Sequence, residues 1–114
     1  MTLSISREDL YAMITTATNH TIVEALPKKY YDSEHLPGAI SIPHDEVANL
    51  AAKLLPDKNQ TIVVYCANSE CKNSHIAAQT LRQMGYKHVL EYTEGKKDWK
   101  EAELPIDRIA VSAV

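Results

Sequence analysis

Apolar residues along this chain recur in two alternating patterns, one at helical spacing and one in short runs. Behind Ser6, a residue able to cap a helix, Leu10, Met13, Ile14 and Ala17 repeat at helical spacing, with Asp9 completing a weak capping box. They predict a helix over residues 7–17. Thr21 to Ala25 (TIVEA) reads as a short strand, and the polar stretch Pro27 to Glu34 as a loop with one loose helical turn. His35 to Ile42 (HLPGAISI) is a Pro-Gly turn running into another short strand. Pro43 suits the first turn of a helix whose apolar stripe is Val47, Leu50, Ala51, Leu54 and Leu55, and Pro56 ends it.

The second half repeats the alternation. Thr61 to Tyr65 (TIVVY) is a near-continuous apolar run, the pattern of a strand covered on both faces in a parallel sheet. Residues 74–84 then predict a helix with Ile76, Ala77, Leu81 and Met84 inward, closed by Gly85. His88 to Tyr92 (HVLEY) is a further strand, and Asp98 to Glu103 a short final helix. The tail IAVSAV fits either a last edge strand or a packed extension. Strands alternating with helices argue an α/β fold around a largely parallel sheet, with residues 1–114 as one domain.

Composition narrows the function. At 45% hydrophobic and 24% charged the chain is ordinary for a globular protein. A net charge of −3 and a pI near 5.9 argue against a nucleic-acid partner, which asks for a basic face. The start, MTLSISREDLY, does not read as a signal peptide, and the longest apolar run is too short to span a membrane. The expectation is a cytoplasmic protein with no membrane partner. In such a compartment its two cysteines are expected free or functional rather than a disulfide scaffold.

Cys66 stands where the buried strand TIVVY ends and a helix is about to begin. In open α/β sheets ligands bind beyond the carboxyl ends of the strands. The loop of Ala67, Asn68, Ser69, Glu70, Cys71, Lys72 and Asn73 must turn sharply, which predicts backbone N–H groups aimed at its centre. The next helix presents its N-terminus there, and both features favour an anion. They predict a lowered thiol pKa and a nucleophile at neutral pH. The competing reading is a small buried hydrophobe at a strand end.

Three segments, in order, carry a family resemblance. Tyr31 followed by His35-Leu36-Pro37-Gly38-Ala39-Ile40-Ser41-Ile42-Pro43 is the first. Val64-Tyr65-Cys66, Ser74, Ala77-Ala78, Leu81 and Gly85-Tyr86 form the second. Tyr92, Gly95, Trp99 and Leu104-Pro105 form the third. Together the chain resembles a single-domain rhodanese, the sulfurtransferase family, over nearly its full length. The resemblance implies a five-stranded, mostly parallel sheet flanked by helices on both faces. It implies a rhodanese-type sulfurtransferase or persulfide carrier, with Cys66 taking sulfane sulfur from a small-molecule donor and passing it to a thiol or protein acceptor, without cofactor.

Departures from the family pattern are specific. The usual Asp-Val-Arg after the second strand is Glu24-Ala25-Leu26. The common loop, Cys then four residues then Arg, has Cys71 at the arginine's place, and Ser74 lies two residues farther on than the family serine. Lys72 is the only cation of the loop, and lysine cannot grip an oxyanion bidentately. Glu70 opposes a dianionic donor, so weak activity with thiosulfate is expected. Cys71 admits four readings: a thiol that resolves the persulfide, a redox sensor, a metal ligand with His75 and Cys66, or a plain helix-entry residue. No fourth ligand is near in sequence, so no metal is expected.

Two other functions compete. A phosphatase or arsenate reductase of the same fold uses Cys, five residues and Arg, and the matching position here is Lys72. A non-catalytic module would sense oxidants through its thiols or bind a protein. His20, His35, His44 and His88 read as structural or surface residues, and Trp99 as a core anchor.

Overall fold

The computed structural model describes residues 3–16 and 19–109. Ser6 caps the first helix, α1 (Arg7–Thr15), its Oγ accepting from the Asp9 N–H at 3.0 Å. This helix stops short of the expected residue 17, and Ala17 lies outside the described residues. Four strands follow: β1 (His20–Glu24), β2 (Ile40–Ser41), β3 (Thr61–Tyr65) and β4 (His88–Tyr92). Their order is β2-β1-β3-β4 and every pairing is parallel.

The expected fifth strand is not among the described residues. Its place beside β4 holds a single parallel bridge, Ser4 to Glu91, with the Ile5 N–H on Glu91 O at 3.0 Å and the Glu91 N–H on Leu3 O at 2.9 Å. The bridge cannot lengthen, because the chain turns into α1 at Arg7. Of the tail, Ile109 is exposed and its N–H meets Asp32 O at 3.1 Å, while residues 110–114 lie outside the described residues.

Side chains alternate across the sheet and build two cores. Val23, Ile62, Val64 and Val89 face a helical layer made by α3 (Val47–Leu54) and α4 (Asn73–Gln83). Ile22, Val63, Tyr65 and Tyr92 face α1 and the last helix, α5 (Gly95–Glu101), whose Trp99 is fully buried and donates its Nε1–H to Pro105 O at 2.7 Å. Helices thus cover both faces, as the family resemblance implies, and β3 at the centre is buried from Ile62 to Tyr65, where neither face meets water. The loose turn expected near residue 30 is a six-residue helix, α2 (Lys28–Ser33), braced by a Lys28–Asp32 ion pair at 2.9 Å.

Helix α4 is rotated relative to the sequence-based expectation. Ser74, Ala77, Ala78 and Leu81 form its buried stripe, and Ile76 is 43% exposed. Ile76 lies two residues beyond Ser74, about 200° around the helix, so a helix that turns Ser74 inward turns Ile76 outward. Leu54 of α3 is likewise exposed, while Val47, Ala51 and Leu55 carry that stripe. Among the described residues no helix is long and apolar enough to cross a membrane.

Candidate active site

Cys66 follows β3 directly and is buried as a free thiol. Its Sγ lies 3.5 Å from the Ser74 Oγ in the first turn of α4, and its S–H donates to the Cys71 carbonyl at 3.3 Å. The backbone around it is clamped from the opposite side of the sheet. The Lys96 N–H donates to Cys66 O and the Lys97 N–H to Ala67 O, each at 2.9 Å. These are N–H groups of the first turn of α5, which have no intrahelical partner and here are satisfied by the strand end.

That docking explains why α5 begins at Gly95, three residues ahead of the expected Asp98. Gly95 has φ +74°, and a Cβ there would stand 2.7 Å from Asn68 N and 2.8 Å from both Ala67 C and Cys66 O. Only a residue without a side chain lets the helix start sit directly on the base of the loop.

The loop shapes itself through Asn68. Its Oδ1 accepts from the Glu70 N–H at 3.0 Å and from the Cys71 N–H at 3.1 Å. Two of the N–H groups expected to face an anion are therefore spent on a side chain, and Asn68 acts as the loop's internal brace. The remaining loop residues divide among neighbouring cavities. Ala67 and Asn68 border a cleft of about 480 Å³ with Leu26, Tyr30 and the lysines of α5. Ser69 and Glu70 border a cavity of about 210 Å³ that also carries Glu94, Asp98 and Glu101, with Lys97 its one cation. Cys71 and Lys72 border a third, of about 340 Å³, with Ser74, His75 and Glu91. Asn73 opens α4.

The expected lowering of the Cys66 pKa is not met. Burial pushes the thiol up, and the neighbouring Cys71 adds to the rise. The Ser74 hydroxyl and backbone N–H pull it back in part. The helix start does act as anticipated, but at a site stripped of water the cost of desolvating a thiolate is larger.

Two ionic clusters flank the loop, and the sequence reading assigned neither. Beneath the α5 side, the fully buried Glu24 accepts from Tyr65 Oη and from Lys96 Nζ through the same Oε1, each at 2.8 Å. Its Oε2 is buried without a hydrogen-bond partner. Burial, then the Glu24 charge, raises the Tyr65 phenol above its ordinary range, so the hydroxyl stays a donor. On the α4 side, the buried Glu91 meets His75 Nδ1 at 3.2 Å and Arg82 Nη1 at 3.4 Å, while Arg82 Nη2 donates to Val89 O at 3.0 Å. A charged residue inside an otherwise apolar strand, Glu24 in TIVEA and Glu91 in HVLEY, was the local signal available. The partners Lys96 and His75 are distant in sequence and carry none.

His35 is buried, stacked on Tyr31 at 3.9 Å with Nδ1 on Tyr31 O at 2.8 Å, a structural place as expected. Among the described residues no group of three or more His, Cys, Asp or Glu side chains converges to hold a metal ion.

The rhodanese-like domain family model matches residues 6–102. The thiosulfate sulfurtransferase PspE of Escherichia coli is 39% identical over 89 residues, covering 78% of this chain and 82% of that protein. Among solved structures, a rhodanese with anions from E. coli is 36% identical with a TM-score of 0.65, over 78% of this chain and 98% of the other. The BH2092 protein of Bacillus halodurans superposes with a TM-score of 0.87 at 25% identity, over 95% of this chain and 78% of the other.

Proposed function

This chain belongs to the rhodanese-like domain family, and we propose that it is a sulfurtransferase that carries sulfane sulfur as a persulfide on Cys66. The single observation that carries the reading is the placement of Cys66. A free thiol ends the central strand, faces Ser74 at the start of α4, and has its carbonyl pinned by α5. In the proposed cycle Cys66, as thiolate, attacks the outer sulfur of a donor R–S–SH. The donor S–S bond breaks, RS⁻ leaves and takes up the proton that Cys66 gives up, and Cys66–S–SH forms. An acceptor thiolate then attacks that outer sulfur and the electron pair returns to Cys66. Burial keeps the resting thiol protonated, which limits stray oxidation between turnovers.

The donor follows from charge. Glu70, Glu94 and Glu101 around one cavity, against Lys97 and with Asp98 already paired to Arg7, oppose a dianion such as thiosulfate, while two lysines of the neighbouring cleft, Lys96 and Lys100, are spent on Glu24 and Glu34. A polysulfide or a low-molecular-weight persulfide fits better, and Glu70→Gln should help thiosulfate more than it helps those donors. PspE is a thiosulfate sulfurtransferase by name, so a thiosulfate rate equal to the persulfide rate would count against this preference.

Cys71 has a proposed second role. Its carbonyl is 3.3 Å from the Cys66 Sγ and its thiol is free. When no acceptor arrives, Cys71 attacks the inner sulfur of the persulfide, expels hydrosulfide and leaves a Cys66–Cys71 disulfide. A phosphatase reading lacks its key group: the loop has no arginine, and Arg82, the next one, spends its guanidinium on Glu91 and Val89 O. Intact mass after polysulfide treatment tests the main reading. Wild type should gain about 32 Da, one sulfur atom, and Cys66→Ser should gain none at this site. Full transfer activity in Cys66→Ser would overturn it.

A further inference from the structure

The cavity of about 340 Å³ on the α4 side contains a hydrogen-bonding arrangement that the persulfide cycle above leaves unused. His75 sits in the first turn of α4, immediately after Ser74, and lines this cavity together with Cys71, Lys72 and Glu91. Its Nδ1 is 3.2 Å from Glu91 Oε1. Glu91 is held rigidly: it is 3% exposed, lies in β4, and gives its second oxygen to Arg82. An imidazole whose Nδ1 faces a fixed carboxylate carries its proton on that nitrogen, so in the neutral ring Nε2 holds the lone pair. The ring is exposed and lines the cavity together with Glu91.

We propose that this cavity is the acceptor site and that His75 is a catalytic base in it, taking the proton from a small alkyl thiol. The proposal rests on the persulfide reading of Cys66. In the step, the acceptor R–SH gives its proton to His75 Nε2 as its sulfur attacks the outer sulfur of Cys66–S–SH. The new R–S–S bond forms, the Cys66 S–S bond breaks, and its electron pair stays on Cys66 Sγ. The outcome is R–S–SH and the Cys66 thiolate, which recovers a proton from the imidazolium or from solvent. Glu91 stabilises the imidazolium formed in between. The cavity wall and the thiol belong to neighbouring residues: Ser74 touches the Cys66 Sγ and also lines the cavity. The charged and titratable groups facing His75 are Cys71 and Lys72 from the loop, Glu91 from β4, and Arg82 from α4 through Glu91. Lys72 gives the cavity a cation able to stabilise an arriving thiolate.

Single-turnover discharge of pre-loaded protein tests this, each variant first confirmed by mass to carry the persulfide and its discharge without acceptor subtracted. Two probes differ in whether a proton must be removed: 2-mercaptoethanol, a thiol at neutral pH, and thionitrobenzoate, already a thiolate there. His75→Gln should slow discharge to 2-mercaptoethanol at pH near 7 by about ten- to a hundred-fold, with thionitrobenzoate changed by less than about three-fold. The deficit should close as pH rises past the pKa of 2-mercaptoethanol, and Glu91→Gln should show a smaller deficit of the same pH shape. Equal slowing with both probes, or a deficit that persists at alkaline pH, overturns the role of His75. Wild-type protein that never loads a persulfide overturns the sulfurtransferase reading itself, and this proposal with it.

Discussion

Replacing Gly95 by alanine tests the seating of α5 on the loop that follows Cys66, and Gly38 supplies a matched control. The two glycines have nearly the same φ, +74° at Gly95 and +76° at Gly38. A Cβ at Gly38 meets nothing within 4 Å, whereas at Gly95 it meets three backbone atoms of Cys66–Asn68 at 2.7–2.8 Å. The left-handed conformation costs an L-residue about 1–2 kcal/mol, and both variants carry that cost. Forcing a methyl group against fixed backbone adds about 1–3 kcal/mol at Gly95 alone. The expectation is a loss of about 1–2 kcal/mol for Gly38→Ala and about 2–5 kcal/mol for Gly95→Ala. For a domain of this size that is a fall in Tm of about 4–8 °C against about 8–20 °C. The atoms in the way belong to Cys66, the proposed sulfur carrier, and the two residues after it, so sulfur transfer should fall in Gly95→Ala by about a hundred-fold if Cys66 shifts by about 1 Å, and remain near wild type in Gly38→Ala. Thermal melts followed by circular dichroism, with transfer rates measured well below both midpoints, supply the comparison. Equal destabilisation of the two variants within about 0.5 kcal/mol would refute the close approach.

Four further outcomes follow from the geometry around the loop. Lys96→Met strips the buried Glu24 of its cation and should cost about 3–5 kcal/mol in urea unfolding, most of it recovered by adding Glu24→Gln; an unchanged midpoint would deny the pair any role. Alkylation of Cys66 by iodoacetamide should titrate above the ordinary thiol range, and Ser74→Ala should move the midpoint higher still, because the hydroxyl holds the pKa down. The sign also sets stability: a thiol with a raised folded pKa stabilises the native state below the unfolded thiol pKa and loses that contribution as pH rises through the folded value, so Cys66→Ser should flatten the alkaline limb. Cys71→Ala should hold its persulfide longer than wild type and yield no internal disulfide in non-reducing peptide maps, and equal lifetimes would remove the resolving role.

The alternation of apolar runs and helical stripes was enough to read the α/β class, the burial of TIVVY on both faces and the place of Cys66 beyond its end. Those features depend on burial repeated every few residues, which a linear chain records directly. The family resemblance, carried by residues scattered from Tyr31 to Pro105, extended this to helices on both faces and to the chemistry proposed for the thiol. The sheet has four strands among the described residues rather than five because a bridge at Ser4 is cut off by the Ser6 cap, a local competition that strand propensity does not express. Ile76 reads as apolar and inward, yet the orientation of α4 is set by Ser74 and the alanines packing on the sheet, and the isoleucine is left outside. The site's electrostatics were decided in three dimensions. Glu24 and Lys96 meet across 72 positions of chain, and His75 reaches Glu91 from another element. The raised pKa of Cys66 has the same origin. A helix N-terminus can be read from sequence order, but the desolvation that outweighs it depends on how completely the loop, α4 and α5 close over one sulfur atom, and only the packed chain determines that.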